Sequence, residues 1–240
     1  MIEEKVKEKI YLIPGLMTDE RLWSRIKPLL ENEYELIHIP IPHTEDFDEI
    51  IDILDKQFSN DLEEKVNLLG FSLGGYIASY YAITYPSRLN RLLMVAATPG
   101  SSSEAEIERR KEKFTVIEKE GFKGLSYDKA KSLVEKKNKD DSELIKIIQD
   151  MFIDLGKERF ITQLTSTFYR KDLFADLVNL DLPIWFYYSE DDRLLSPNAL
   201  DRLLNNEHNM KLISRVGTSH NIPLEVPDLL SDVIKDWMES

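Results

Sequence analysis

Short apolar runs alternate with amphipathic stretches along most of the chain. Residues 9–13 (Lys-Ile-Tyr-Leu-Ile) read as a buried strand ended by Pro14-Gly15, and residues 34–39 as a second strand stopped by Pro40 and Pro42. Between them the spacing of Leu22, Trp23, Ile26, Leu29 and Leu30 predicts one helix over 19–30, with Asp19 in its first turn where the helix dipole favours an anion. A helix over 46–58 carries Ile50, Ile51, Ile53, Leu54 and Phe58. A strand over 66–71, a helix over 72–85 and a strand over 91–96 follow.

After Pro99-Gly100 the rhythm changes. Residues 104–176 show helical periodicity and dense charge without a convincing strand. Alternation then resumes, with strands at 183–188 and 210–216 and helices at 198–204 and 227–238. Strands separated by helices imply a mostly parallel sheet, because parallel neighbours need crossover connections that cover both faces. The expected organisation is an α/β core from residues 1–100 and 177–240. A helical cap or lid, residues 101–176, is expected over the carboxyl edge of the sheet, where open α/β folds bind ligands.

Charge follows the same division. There are ten basic against 17 acidic residues in 1–100, twelve against twelve in 101–150 and nine against 15 in 151–240. The two-signed middle block suits solvated helical faces. A net charge of −13 with no basic stripe argues against nucleic acid, which needs clustered Lys and Arg to neutralise phosphates. With 0 Cys, thiolate zinc sites, disulfides and cysteine nucleophiles are excluded. The charged first ten residues do not suit a signal peptide, and no apolar run reaches membrane-helix length, so a cytoplasmic protein without membrane contact is expected.

The strongest chemical signal is Gly70-Phe71-Ser72-Leu73-Gly74-Gly75, set between a predicted strand and a predicted helix. A serine on so sharp a turn needs neighbours without side chains, and the turn lifts its hydroxyl above the sheet. It also leaves the Leu73 N–H at a helix N-terminus, facing any negative charge that develops nearby. No Lys follows the glycines, which argues against a phosphate-binding loop. A serine hydroxyl needs a base. Of His38, His43, His208 and His220, the first reads as a packed or surface imidazole within a strand and His208 as a solvated loop residue. His43 could lie near the rim of a site, whereas His220 falls just after the last strand. The acidic run Glu190-Asp191-Asp192, after the preceding strand, supplies a carboxylate to orient the base. Serine, acid and histidine then occur in the chain order of α/β-hydrolases.

The chain resembles the α/β-hydrolase superfamily over essentially its whole length. It is most similar to a small bacterial esterase-like branch whose first loop reads L-x-P-G-L-x-x-D-x-x-L-W, here Leu12 to Trp23. The similarity extends to Lys157-Glu-Arg-Phe160-Ile-Thr-Gln163. It implies an α/β-hydrolase fold, Asp192 rather than Asp191 as the acid, and the Leu16 N–H beside that of Leu73 as the oxyanion donors. The family usually carries Gly before the base, where this chain has Ser219.

The expected function is hydrolysis of a small or medium-chain carboxylic ester or thioester through an acyl-enzyme on Ser72, without metal or organic cofactor. Its partner would be a small-molecule ester, and the chain a monomer or homodimer. Met17, Phe114, Phe122, Phe152, Phe160, Phe168 and Tyr169 are the candidates for acyl contact. Two alternatives use the same fold. One is a MenH-like lyase that abstracts a proton from a polyanionic substrate, although Tyr76 stands where an Arg would serve it. The other is a ligand-sensing signalling protein.

Overall fold

The computed structural model describes residues 6–60, 65–205 and 210–240. His208 lies outside the described residues. Six strands, β1 (Glu8–Ile13), β2 (Tyr34–His38), β3 (Val66–Phe71), β4 (Leu89–Val95), β5 (Ile184–Ser189) and β6 (Met210–Arg215), form one sheet in the order β2-β1-β3-β4-β5-β6. Every pairing is parallel. The central strands β3 and β5 are buried on both faces because helices cover both, whereas the edge strands β2 and β6 keep exposed polar residues. Tyr11, Ile13, Leu68 and Leu92 enter one core layer, and Ile10, Leu12, Leu69 and Leu93 the other.

The helices, in chain order, are α1 (Lys27–Leu30), α2 (Phe47–Asn60), α3 (Leu73–Thr84), α4 (Glu104–Glu120), α5 (Tyr127–Leu133), α6 (Ser142–Ser166), α7 (Phe174–Leu177), α8 (Pro197–Leu204), α9 (Ile222–Glu225) and α10 (Pro227–Met238). Helix α3 is buried from Leu73 to Ala82, which suits its lack of charge. Helices α4 to α7 all fall between β4 and β5. Helix α6 is broken at Gly156, whose φ of 72° is left-handed and readily adopted only by glycine.

One expected element is corrected. Residues 19–30 do not form a single helix but a 3₁₀ turn, Glu20–Trp23, followed by α1. Pro28 in the first turn of α1 explains the division, since proline starts helices and obstructs their continuation from the preceding turn. Leu22, Trp23, Ile26 and Leu30 are still buried, whereas Leu29 is exposed.

The sheet order reverses between β1 and β3: the chain passes from β1 outward to β2 on one side and from β3 outward to β4 on the other. Loops at such a switch point separate and open a crevice at the carboxyl edge. Pro14-Gly15 and Ser72 are the residues that follow those two strands.

Candidate active site

Ser72 connects β3 to α3 with φ 52° and ψ −116°, a conformation that costs a non-glycine residue about 1–3 kcal/mol. The turn holds because its neighbours are locked. The Ser72 N–H donates to the Val95 carbonyl at 2.9 Å, and the Gly75 and Tyr76 N–H groups donate to the Ser72 carbonyl. A Cβ on Gly70 would overlap the Gly74 carbonyl, and one on Gly74 would overlap the Ile13 and Pro14 carbonyls. The two glycines therefore allow strand, helix and the β1 loop to approach at backbone distance.

Three side chains from distant parts of the sequence meet at this edge. His220 Nε2 lies 2.9 Å from Ser72 Oγ, and His220 Nδ1 lies 2.7 Å from Asp192 Oδ2. The second Asp192 oxygen accepts the Leu194 N–H at 2.9 Å. Asp192 is buried, so it is held by hydrogen bonds rather than by water. With Nδ1–H donating to the carboxylate, Nε2 is left to accept the serine proton. Phe71 packs beside the imidazole, with ring centroids 5.3 Å apart.

His38 and His43, the other histidines among the described residues, do not join this chain of hydrogen bonds. His38 Nδ1 accepts the Trp23 indole N–H at 3.1 Å, and burial lowers its pKa, so it is a neutral packed imidazole. His43 is exposed.

Gly15 places the β1 loop against the Ser72 turn, since a Cβ there would sit 3.1 Å from Ser72 Cβ. Neither the Leu16 nor the Leu73 N–H has a hydrogen-bond partner among the described residues. Between them in the chain, Met17 has φ 56° and turns its own N–H away, onto the Oε1 of buried Gln163 at 2.8 Å. The α6 side chain thus fixes the loop that follows β1.

Met17, Phe160 and Leu164 form a small apolar cluster, against which Leu16, Phe114, Phe122, Phe152 and Phe168 are packed. Six of the seven expected contact residues are therefore gathered beside the β1 loop. Tyr169 is not: it is 67% exposed. Phe168 and Tyr169 occupy successive positions of a tight 3₁₀ turn, which points one inward and the other out.

A second network underlies the His220 loop and has no local signal in the sequence. Glu135, between α5 and α6, accepts the Thr218 and Ser219 N–H groups at 2.7 and 3.0 Å and the Arg215 guanidinium at 2.7 Å. Burial would raise the Glu135 pKa, but these hydrogen bonds overcome it and hold the carboxyl at about 2. Glu225 accepts the Ser219 hydroxyl at 2.6 Å and the Glu135 N–H at 2.6 Å. Ser219, in place of the family's usual glycine, is thereby a buried hydrogen-bond donor that helps to fix the loop carrying His220.

The parallel sheet with its reversal at β1 and β3, the serine on the strand-to-helix turn and the helices inserted after β4 define an α/β-hydrolase fold. A family described as Hydrolase_4, serine aminopeptidase S33, matches residues 42–227, and the chain belongs to this family. Among curated proteins, the pimeloyl-[acyl-carrier protein] methyl ester esterase of Aeromonas salmonicida (strain A449) is 33% identical over 96 residues. That match spans 38% of this chain and only 38% of the relative's length. Among solved structures, a thermophilic esterase from Thermogutta terrifontis superposes with a TM-score of 0.84 at 19% identity, covering 98% of this chain and 90% of that one. MenH from S. aureus superposes with a TM-score of 0.78 at 20% identity, covering 98% and 95%. Among the described residues no cluster of three His, Asp or Glu could hold a metal ion, and no helix is long and apolar enough to cross a membrane.

Proposed function

We propose that the protein hydrolyses a small or medium-chain carboxylic ester through an acyl-enzyme on Ser72. The observation that carries this reading is the continuous hydrogen-bonded line from Ser72 Oγ through His220 to buried Asp192. His220 Nε2 takes the hydroxyl proton as Ser72 attacks the ester carbonyl. Asp192 keeps the imidazole in the tautomer that permits this and stabilises the imidazolium that forms. The free Leu16 and Leu73 N–H groups are the donors for the developing oxyanion, each worth about 3 kcal/mol in sites of this kind. His220 then returns the proton to the leaving alcohol, and water repeats the sequence to release the acid. Residues 101–176 act as a cap whose aromatic cluster receives the acyl chain.

The names of the relatives support ester chemistry: one acts on a methyl ester and a structural neighbour is an esterase. The test is a panel of methyl and p-nitrophenyl esters of increasing acyl length, set beside matched thioesters and aminoacyl anilides. Ester turnover that falls about 10⁴-fold or more in Ser72→Ala is expected. Preferred turnover of the anilides, or full ester activity in Ser72→Ala, would overturn the proposal.

A further inference from the structure

Near Phe114 and Phe168 of the apolar cluster, the chain places two poorly partnered arginines, Arg110 and Arg170. Helix α4 presents Arg110 one turn before Phe114, so both lie on one face. Arg170 follows Phe168 by two residues. Its guanidinium stacks over the Tyr76 ring with 4.1 Å from Cζ to the centroid, and Tyr76 lies one helical turn beyond Ser72.

Arg170 is short of partners. It donates to the Thr98 carbonyl at 2.5 Å, its Nε–H is buried without a partner, and no carboxylate lies within ion-pair distance among the described residues. Burial and the neighbouring positive charge of Arg110 lower its pKa to about 10, while Tyr76 and Glu106 oppose this, so the group remains charged at neutral pH. Arg110 donates to the Ser102 hydroxyl at 2.5 Å and has only a loose pair with Glu106, at 3.8 Å. One oxygen of Glu106 is already committed to capping α4 through Ser103. Arg170 is thus a desolvated guanidinium with no carboxylate in ion-pair reach among the described residues, and half-buried Arg110 has only the loose pair with Glu106. A buried charge without a full complement of partners is unfavourable, and a guanidinium with free N–H groups matches a carboxylate better than any neutral group.

From this arrangement we infer that Arg170, with Arg110, forms a recognition subsite for a carboxylate at the far end of the acyl chain. The substrate class is then the half-ester of a short dicarboxylic acid. The esterified carbonyl sits at Ser72, the methylenes lie against Met17, Leu164, Phe114 and Phe168, and the free carboxylate reaches the two guanidiniums. Hydrolysis breaks the acyl C–O bond, the alkoxy group leaves as the alcohol with the proton carried by His220, and water supplies the oxygen and protons that complete the dicarboxylic acid. The substrate assignment rests on acyl transfer at Ser72; the subsite itself does not.

Two measurements separate the two. The first is the ratio of kcat/KM for monomethyl adipate to that for methyl hexanoate, whose acyl chain has the same length. The ratio is expected to favour the half-ester by about tenfold or more and to fall by at least that factor in Arg170→Met, Arg170→Lys and Arg110→Met. It should be unchanged in Arg109→Met, an exposed position on the same helix. The second is calorimetric binding of adipate to Ser72→Ala, with hexanoate as the single-carboxylate control. Adipate is expected to bind at least about tenfold more tightly than hexanoate, and to lose that margin in Ser72→Ala/Arg110→Met. Arg110 is partly exposed, so that variant tests the subsite even if the Arg170 variants do not fold. Equal use of the two esters together with equal binding of the two acids would overturn the subsite. Selective adipate binding without turnover of any ester would uphold it and overturn the hydrolase reading instead.

Discussion

The helices between β4 and β5 contain two differently built regions. Around α5 and the first half of α6, Ala130, Val134, Leu144, Ile145, Ile148 and Met151 are buried in the same core layer as β1 and β3. Glu135 binds the His220 loop there, and Asp141 pairs with Arg25 at 2.8 Å. Helix α4 has no buried residue at all; its apolar contacts run through half-buried Phe114 and Ile117, and Glu118 pairs with Lys157 of α6 at 3.3 Å. Left-handed glycines bound the packed region in the chain, Gly121 at the end of α4 and Gly156 within α6. Under the proposed function the contrast assigns different work to one insertion: the packed region would hold His220 in place, and the loosely packed helix would cover the acyl chain. Mobility and stability divide in this way when apolar contacts are concentrated in one part of a structure.

The contrast breaks most visibly at Glu135. Glu135→Leu leaves the buried Arg215 without its partner and two N–H groups unsatisfied, and should cost about 3–5 kcal/mol in urea unfolding. A loss below about 1 kcal/mol would show that the loop does not depend on this carboxylate. Gly217→Ala should follow, at about 1–3 kcal/mol, because its φ of 136° disfavours a side chain and a Cβ would overlap Glu135 Oε1. Its kcat should fall more than its KM changes, since the displaced residue lies three positions before His220.

Acid sharpens the same point. The Glu135 pKa is lowered from 4.5 to about 2 in the folded protein, so its carboxylate contributes stability above 4.5 that is lost as pH falls toward 2. The Tm difference between the wild type and Glu135→Gln should therefore be full near neutrality and close over that interval. A difference independent of pH would remove the carboxylate from the explanation. The smallest stability effect belongs to the loose region. Phe114→Ala should change stability by less than about 1 kcal/mol while raising KM for medium-chain esters several-fold. Equal losses of stability at Phe114 and Glu135 would abolish the distinction.

What was legible in the sequence follows from the range of each interaction. The Ser72 turn is encoded by adjacent residues, since Gly70 and Gly74 answer a local steric demand. Asp192 and His220 could be placed because each follows a strand, and parallel strands bring their carboxyl ends to one edge. The division of residues 19–30 carried a readable cue in Pro28, which apolar periodicity outweighed. Glu135 and Glu225 give no such cue, and Gln163 stands out only as the end of a stretch resembling the family, not as a partner of Met17. Glu135 meets Thr218 across 83 residues and Gln163 meets Met17 across 146, so each reads locally as an ordinary polar residue of a charged helical region. The exposed Tyr169 shows the converse limit: an aromatic at helical spacing says nothing of which side of a tight turn it takes.

Acid-quenched turnover of p-nitrophenyl hexanoate, followed by peptide mapping, tests most directly whether Ser72 is the acyl acceptor. The hexanoyl group should be found on the peptide containing Ser72, and the adduct should be absent from His220→Ala, whose serine has no base to take its proton. Acylation at any other residue, or hexanoate release by wild type and Ser72→Ala at the same rate, would contradict it.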